Sequence, residues 1–370
     1  MKNLVFPDYD HSLLSIPSSI LKYYGIDLGY KSNQQLDQQF KKYPKNVVFV
    51  LIDALGSEIL KKHAEEADFL IKHQRDVLTT VFPSTTTSAT TSALTGLPPV
   101  CTGWVGWQQF VQEEQRHVVF FMNKDYYDES YVFNYNISDK YNHTTKLYDL
   151  IKGKNSDVGV HEIFPKFKQE NHHSIREEVN TCLEIIKNNQ KNFIYMYWDQ
   201  VDSKLHDHGT TSKVVKEEIG EVNQAIKHLF NSVNDDTLIV LTADHGQIDI
   251  EPVPIKDYPD VFDMLAQKPA IEARATAFYV KDAYKEKFPQ VFNQHFRDKF
   301  ALYTSEEVLK MKLFGEGEPH QRLKGYLGDY FSIAIDKYAF NLLDKKPHIA
   351  THAGLTKDEM LIPLIINNSN

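Results

Sequence analysis

Short, unbroken apolar runs recur along this 370-residue chain and constrain its fold more than any other feature. Each run has the length of a strand that is covered on both faces of a sheet. The runs are Val47–Ile52, Val118–Met122, Phe193–Trp198 and Leu238–Leu241. Helical patterns lie between them, the clearest from Val215 to Phe230 with Ser212 as the predicted N-cap. Strands that alternate with helices predict an α/β fold, a mainly parallel sheet with helices on both faces.

From residue 251 to residue 336, the sequence pattern differs from that of the rest of the chain. Residues 251–336 carry several charged segments, a strand-like Ala273–Val280 and a capping box at Thr304–Glu307. The apolar run Met360–Ile366 then predicts a return to the main sheet. We therefore predict a catalytic core formed by residues 1–250 and 337–370, with a smaller, cap-like α+β subdomain inserted at 251–336.

Charge and composition limit the classes of partner. The net charge of -9 and the pI near 6.0 argue against a general nucleic-acid polymer as partner, because phosphate backbones attract basic surfaces. No apolar run approaches the roughly 20 residues that span a bilayer, and Met1–Asp8 lacks the features of a signal peptide. The two cysteines, Cys101 and Cys182, are too few for a disulfide framework. We expect a cytoplasmic protein that acts on a small molecule; nothing in the sequence specifies an oligomeric state.

Polar side chains follow several of the apolar runs, where predicted strands end. Ligands collect at the carboxyl ends of the strands of a parallel sheet, so these positions are candidates for a site. The candidates are Asp53, Asp202, His206, Asp244, His245 and His352. Singly, each has an ordinary explanation, since Asp often caps a helix and an isolated His is usually structural or solvated. Together, three carboxylates and three imidazoles without a thiolate suit zinc or manganese, in a number sufficient for two ions.

A hydroxyl-rich segment from Phe82 to Gly96 follows the strand-like run Val77–Phe82. It could be a Ser/Thr-rich loop, or the start of a helix with redundant caps. Its functional interpretation is a nucleophile on the first turn of a helix, where free backbone N–H groups and the helix dipole favour a phosphate anion. A threonine hydroxyl is a poor nucleophile at neutral pH, and coordination to a metal would lower its pKa.

Taken in order, these motifs resemble the alkaline phosphatase superfamily, and within it the type I phosphodiesterase and nucleotide pyrophosphatase family. The resemblance covers most of the chain, and five motifs in one order are far more specific than any one of them. It implies an alkaline-phosphatase-like core. The motifs are Asp53-x-x-Gly56 after an apolar run, Pro83–Gly96, Asp202–Gly209, Asp244-His-Gly246 and His352-Ala-Gly354.

The resemblance also implies site residues and a mechanism. The family's nucleophile falls on Thr86, three residues after Pro83 and nine before Thr95, and neither Thr85 nor Thr87 fits these counts. It would attack phosphorus in line and form a phosphothreonine intermediate. Two divalent ions about 4 Å apart are implied, zinc first and manganese as the alternative. One would be held by Asp202, His206 and His352, and the other by Asp53, Asp244, His245 and Thr86.

The substrate is predicted only as a class, and no substrate-binding residue is assigned. Monoesters carry about one more negative charge than diesters, and their sites tend to add a cationic clamp. Between Asp76 and Gln115 the chain has neither Arg nor Lys, which favours diesters or pyrophosphates. Family members that act on nucleotides often carry a His and an Asn after the Thr-Gly pair; here Thr102 and Trp107 stand in their places, which favours phosphodiesters as a class over nucleotides in particular.

Three other functions stay open at this point. A phosphonate hydrolase resembling phosphonoacetate hydrolase would use a similar threonine and metal set, with different residues around the substrate. A phosphomonoesterase or phosphotransferase of the same superfamily is a second alternative. The third and most distant is an inactive binding protein on the same scaffold, although every predicted metal ligand is present.

Overall fold

The computed structural model describes residues 4–188, 190–343 and 345–367, so three residues of the segment Met1–Asp8 lie outside it. The strands of the described residues are β1 (Asn46–Ile52), β2 (Gln74–Thr79), β3 (Gln109–Val111), β4 (Arg116–Val119), β5 (Lys124–Asp125), β6 (Val158–Ile163), β7 (Lys191–Trp198), β8 (Thr237–Thr242), β9 (Ile248–Asp249), β10 (Glu251–Pro254), β11 (Ala270–Ile271), β12 (Ala275–Phe278), β13 (Phe300–Thr304), β14 (Tyr330–Ala334), β15 (Tyr338–Asn341), β16 (Ala350–Thr351) and β17 (Leu361–Ile366).

The α-helices of the same residues are α1 (Ser15–Tyr23), α2 (Gln34–Phe40), α3 (Ser57–Lys62), α4 (Asp68–His73), α5 (Thr86–Thr95), α6 (Pro99–Thr102), α7 (Ile137–Tyr141), α8 (Leu147–Lys154), α9 (Ile175–Lys187), α10 (Gln200–His208), α11 (Lys213–Ser232), α12 (Pro259–Phe262), α13 (Phe288–Phe296), α14 (Ser305–Lys310), α15 (Leu323–Tyr326) and α16 (Lys357–Met360). Short 3-10 helices lie at Tyr9–His11, Phe120–Met122, Ile255–Asp257 and Asp282–Tyr284. Within the described ranges, no helix is both long enough and apolar enough to cross a membrane.

A six-stranded sheet forms the centre of the fold, in the order β2-β17-β8-β1-β7-β6. The adjacent pairs β8–β1, β1–β7 and β7–β6 are parallel, and β17 runs antiparallel to both of its neighbours. Every residue of β1 and β8 is buried, as expected for strands that are covered on both faces. The predicted α/β fold with a mainly parallel sheet is therefore confirmed, and Met360–Ile366 does return to this sheet as β17.

One predicted strand of the main sheet is wrong. The run Val118–Met122 contributes only its first residues to β4, which belongs to a separate antiparallel sheet of β3, β4 and β5, and then turns into a 3-10 helix. Phe121 and Met122 are 48% and 51% exposed, so the run is not a buried strand. The main sheet instead ends at β6, whose interior residues include Gly159 and His161 and are only partly buried. An edge strand needs less apolar surface than a central one, and β6 therefore carries no continuous apolar run.

The region after residue 250 contains a second, four-stranded antiparallel sheet in the order β11-β12-β14-β13. The predicted strand Ala273–Val280 is shorter in the structure, where it is β12. Aromatic side chains pack behind this sheet, including Phe278, Phe292 and Phe340. The bounds 251–336 of the inserted subdomain stay a prediction.

The predicted helix starts agree with the structure. The Ser212 side chain accepts a hydrogen bond from the backbone N–H of Val215 and begins α11. Capping boxes begin α14 at Thr304 with Glu307, and α16 at Thr356 with Glu359. The second of these boxes matters for the site, because it follows the loop that carries His352.

Candidate metal centre and active site

The structure brings all seven predicted site residues together at the carboxyl edge of the main sheet. Asp53 follows β1, and Asp244 and His245 follow β8, the strand beside it. Asp202 and His206 lie on α10, directly after β7, and His352 follows the short strand β16. Thr86 is the first residue of α5. The chain therefore gathers three carboxylates, three imidazoles and one hydroxyl from five separate segments.

The first group consists of Asp202, His206 and His352, whose possible ligand atoms all lie within 4.8 Å of one another. Asp202 Oδ2 is 3.4 Å from His206 Nε2, and Asp202 Oδ1 is 3.8 Å from His352 Nε2. The spacing of four residues places Asp202 and His206 on one face of α10. Gln247 donates a hydrogen bond to Asp202 Oδ1 and so fixes this carboxylate.

The second group consists of Asp53, Asp244 and His245, also within 4.8 Å of one another. His245 Nε2 lies 3.4 Å from Asp53 Oδ1 and 3.5 Å from Asp244 Oδ2. Thr86 Oγ1 lies 3.2 Å from the same nitrogen, so the hydroxyl faces this group. The three ligand side chains are almost wholly buried.

The three imidazoles are held by the same kind of hydrogen bond. Each directs Nδ1 at a backbone carbonyl: His206 at Ala350 (2.8 Å), His245 at Gly246 (3.0 Å) and His352 at Ser84 (3.2 Å). A carbonyl only accepts, so Nδ1 must carry the proton and Nε2 presents its lone pair to the centre of the site. Metal-ligating histidines are held in this way.

The carboxylates show that the site fits a cation. Asp53 Oδ1 and Asp244 Oδ2 are buried and have no hydrogen-bond partner among the described residues. Burial, and then the charges of Asp244 and Asp202, raise the pKa of Asp53 well above its usual range. Burial also raises the pKa of Asp244. Two such oxygens facing the lone pair of His245 Nε2 are mutually unfavourable unless a positive ion lies between them, and these donors suit a divalent ion.

The His352 ring is suited to remain a neutral ligand. Burial, followed by the nearby imidazoles His245 and His206, holds the pKa of His352 well below its usual value. The neutral imidazole is the form that binds a metal ion.

Two glycines allow the loops after β1 and β8 to approach each other. A Cβ on Gly56 would lie 2.6 Å from the Cα of Gly246, and one on Gly246 would lie 2.1 Å from the carbonyl oxygen of Asp358. A side chain at Gly56 would push apart the loops that carry Asp53 and His245, and one at Gly246 would push the His245 loop away from α16. This explains why a glycine follows each of the two metal-ligand motifs.

The three neighbouring threonines have different environments. Thr85 Oγ1 donates a hydrogen bond of 2.6 Å to Glu272, and Thr87 Oγ1 is buried without a partner among the described residues. Only the Thr86 hydroxyl faces His245. Thr85 is the N-cap of α5 but its side chain makes no capping hydrogen bond, which leaves the first N–H groups of the helix for an anion.

A cleft of about 1400 Å³ opens from Thr86 and Asp53. Trp107, half-buried, lies on its wall, and the exposed rings of Phe121 and Phe167 lie at its margin. Trp104 is buried and donates its indole N–H to the Asn142 carbonyl oxygen, which makes it a packing residue. Among the described residues that line the cleft there is no arginine, and the lysines are Lys146 and Lys168.

Several residues of the site were not predicted from the sequence. Tyr197 donates its hydroxyl to Asp53 Oδ2, and Gln247 donates to Asp202. Ser84 holds the loop of His352, because its carbonyl oxygen accepts from Ala353 N at 2.9 Å and its hydroxyl donates to Gly354 O at 2.7 Å. Of these residues, only Gln247 had a signal in the sequence, because it directly follows the motif Asp244-His-Gly246. The contacts of Tyr197 and Ser84 depend on the fold.

Known proteins of one family are similar to this chain in sequence and in fold. The family model of Type I phosphodiesterase / nucleotide pyrophosphatase matches residues 47–347. No curated protein matches the chain. Among solved structures, human ectonucleotide pyrophosphatase / phosphodiesterase 5 is similar with a TM-score of 0.66 at 15% identity, over 86% of this chain and 87% of that one. The murine protein gives a TM-score of 0.63 at 15% identity with the same shares, also as an inactive variant in complex with AMP.

A second kind of protein shares the fold to the same degree. Phosphonoacetate hydrolase from Sinorhizobium meliloti 1021, in complex with phosphonoacetate, has a TM-score of 0.66 at 13% identity, over 88% of this chain and 91% of that one. At these identities the likeness describes the fold alone.

Proposed function

Since the chain belongs to the type I phosphodiesterase / nucleotide pyrophosphatase family, we propose that it is a metal-dependent hydrolase that cleaves phosphodiester or phosphoanhydride bonds through Thr86. The observation that carries the proposal is the position of the Thr86 hydroxyl, which faces His245 at 3.2 Å beside two groups of convergent ligands. Phosphoester hydrolysis is the chemistry of the family; the bond type, the metal and the intermediate are our inference.

The two groups of ligands would hold two divalent cations, zinc by preference and manganese as the alternative, since the donors are nitrogen and oxygen only. When bound, such ions lower the pKa of a hydroxyl and stabilise the charge that develops on a phosphoryl group. Asp202, His206 and His352 would hold one ion. Asp53, Asp244, His245 and Thr86 would hold the other.

The chain's own groups position the phosphoryl group. The uncapped N–H groups at the start of α5 would donate to its non-bridging oxygens, and Thr86 projects from the same turn. The Thr86 Oγ–P bond forms as the bond to the leaving alcohol breaks, and the hydroxyl proton of Thr86 ends on that alcohol, which gives a phosphothreonine that keeps the second ester group of a diester. Water then attacks this phosphorus, the Oγ–P bond breaks, and one proton of the water returns to Oγ to regenerate Thr86.

The cleft favours diesters as substrates. A dianionic monoester is usually gripped by an arginine, and the described lining residues include none. Of the two lysines, Lys168 is paired with Glu162. The aromatic wall at Trp107 and Phe121 offers space for an organic group on the second ester. A nucleoside is one such group, and the inactive variant of the murine relative is in complex with AMP.

A phosphonate hydrolase is the second candidate, because phosphonoacetate hydrolase has a similar fold. A phosphomonoesterase or phosphotransferase of the same superfamily is the third. The two free cysteines also lead us to place the enzyme in a reducing compartment, the cytoplasm.

A panel of chromogenic substrates tests the proposal. Metal-free enzyme is resupplied with zinc or manganese and assayed with p-nitrophenyl diesters, the corresponding monoester and phosphonoacetate. We expect the diester to be cleaved fastest, and Thr86→Ala to lose this activity by about 10³-fold or more. Thr87→Val is the matched control and should stay active. Wild-type turnover by Thr86→Ala would contradict the nucleophile, and fastest cleavage of phosphonoacetate would favour the second candidate.

A further inference from the structure

One carboxylate near the nucleophile is not a member of either group of metal ligands. Glu272 lies in the tight turn between β11 and β12 of the four-stranded sheet, outside the main sheet. The turn is fixed by the Glu272 N–H, which donates to Ala275 O at 2.9 Å, and by Thr276 Oγ1, which donates to Glu272 O at 2.6 Å. The backbone at Glu272 is therefore held rigidly while its side chain reaches across to α5.

The side chain of Glu272 connects the residue that precedes Thr86 with a residue of the cleft wall. Its Oε1 accepts a hydrogen bond of 2.6 Å from Thr85 Oγ1, and Thr85 immediately precedes Thr86. The same oxygen accepts a hydrogen bond of 2.6 Å from the backbone N–H of Trp107, a residue that lines the cleft together with Thr86. Among the described residues, Oε2 has no hydrogen-bond partner. One oxygen thus anchors the carboxylate while the other is uncommitted.

The charge of Glu272 is not neutralised by any cation of the described residues. Its hydrogen-bond donors, a hydroxyl and an amide, are both neutral. Burial raises the pKa of Glu272 to about 7, against the hydrogen bonds from Thr85 and Trp107 and the nearby His245 imidazole, so the ionised form is present near neutral pH. Glu272 is linked to the proposed phosphoryl site through Thr85, the residue that directly precedes Thr86.

We propose that Glu272 is a specificity-determining residue that disfavours dianionic phosphoryl groups and so selects phosphodiesters over phosphomonoesters. The inference rests on the proposed function and deepens it. A monoester brings about one more negative charge than a diester to the same position. In a partly desolvated site, one extra like-charge contact at several ångströms costs on the order of tenfold or more in binding. The described residues that line the cleft include no arginine to offset this repulsion.

The competing explanation is that Glu272 only holds Thr85 and Trp107 in place. Two substitutions separate the explanations. Glu272→Gln keeps a carbonyl oxygen to accept from Thr85 and Trp107 but removes the charge. Thr85→Val removes one hydrogen bond and leaves the charge. A purely positional role predicts that both variants slow diesters and monoesters alike.

The experiment compares kcat/KM for bis(p-nitrophenyl) phosphate and p-nitrophenyl phosphate, which share a leaving group, in the metal-loaded wild type and variants. Inhibition by inorganic phosphate and by dimethyl phosphate gives a second readout that needs no turnover. We expect Glu272→Gln to raise the monoester-to-diester ratio by about tenfold or more and to tighten inhibition by phosphate but not by dimethyl phosphate. Thr85→Val should leave the ratio within about twofold of wild type.

An unchanged ratio in Glu272→Gln, with phosphate inhibition also unchanged, would overturn the inference. Glu272→Ala is a second variant that removes the charge, and it should move the monoester-to-diester ratio in the same direction. The test therefore does not depend on a single variant. The outcome is distinct from that of the proposed function: if the wild type cleaves no diester, the function fails, whereas diester cleavage with an unaltered ratio refutes only the role of Glu272.

Discussion

The imidazole rings of His245 and His352 stack with their centroids 3.9 Å apart, although each ring belongs to a different group of ligands. Their Nδ1 atoms are directed at different carbonyls, of Gly246 and Ser84, so each ring is fixed independently. The stacked pair brings the two groups of ligands next to each other. Ions held by these two groups would be close neighbours, as two-metal hydrolysis requires.

Substitution of the buried carboxylate Asp53 should change the melting temperature in opposite directions with and without bound metal. In the metal-free protein the charged form of Asp53 is unfavourable, since burial and then the neighbouring Asp244 raise its pKa. Asp53→Asn should therefore raise the melting temperature of the metal-free protein. With zinc bound, the same substitution removes a ligand and should lower the melting temperature relative to wild type. Thermal unfolding with and without chelator measures both effects; a change in the same direction in the two states would contradict the assignment of Asp53 as a ligand.

Gln247 should increase the metal affinity of the first group of ligands. Its amide donates to Asp202 Oδ1 and orients that carboxylate. Gln247→Ala should weaken one of the two metal sites by about 10–100-fold, because loss of a partner behind a metal ligand has that effect. Chelator competition measures the affinity. Gln200→Ala is the control, since Gln200 begins the same helix but donates to Asp199, which is not a proposed ligand; equal losses in the two variants would count against the assignment.

Much of the candidate site could be predicted from the order of residues along the chain, because each of the six Asp and His ligands lies directly after a strand or on one face of the following helix. Asp53 and Asp244 end the adjacent, wholly buried strands β1 and β8, which are the easiest strands to predict. Tyr197 and Glu272 could not be found in this way. Tyr197 points at Asp53 from the neighbouring strand β7, and Glu272 comes from another sheet, so neither contact has a signature in the local sequence.

The one wrong strand has a physical cause. The run Val118–Met122 is apolar because Val118 and Phe120 pack in a second core, while Phe121 lies at the margin of the cleft. Hydrophobicity alone does not distinguish a strand buried on two faces from a segment that lines a cavity. Strand β6 was missed for the opposite reason, since an edge strand tolerates His161 and Glu162.

Substitution of Gly246 by a residue with a side chain should destabilise the protein. A Cβ there would lie 2.1 Å from Asp358 O, so Gly246→Ala should cost about 1–3 kcal/mol of unfolding free energy and displace His245, with loss of activity. Gly220 is the matched control: it lies inside α11, and a Cβ added there would meet no neighbouring atom within 4 Å. Gly220→Ala should increase stability by about 0.5–1 kcal/mol. Denaturant unfolding checks both, and a neutral Gly246→Ala would contradict the close approach.

The buried ion pair between Arg274 and Glu359 should stabilise the loop of His352. Arg274 donates to both Glu359 oxygens at 2.7 and 2.8 Å, and Glu359 also accepts from Gly354 N at 2.7 Å, two residues after His352. Arg274→Met would leave a buried carboxylate without its cation and should cost about 3–5 kcal/mol. The variant should also bind metal more weakly, as measured by chelator competition at a temperature where it is folded.

The more exposed ion pair between Arg322 and Glu113 provides the control for Arg274→Met. Arg322→Met should cost less than about 1 kcal/mol and leave the metal affinity unchanged. A similar cost for both arginines, or full metal affinity in Arg274→Met, would show that the buried pair does not support the His352 loop.

The most direct test of a two-metal site is a metal titration of the wild-type enzyme. Zinc is added back to metal-free protein in known equivalents, while release of p-nitrophenolate from a diester and bound zinc per chain are followed together. We expect full activity to be reached when two zinc ions are bound per chain, and His352→Ala, which disrupts one group of ligands, to bind a single tight ion and stay inactive. Full diester hydrolysis by protein that contains no divalent metal would rule out a two-metal mechanism.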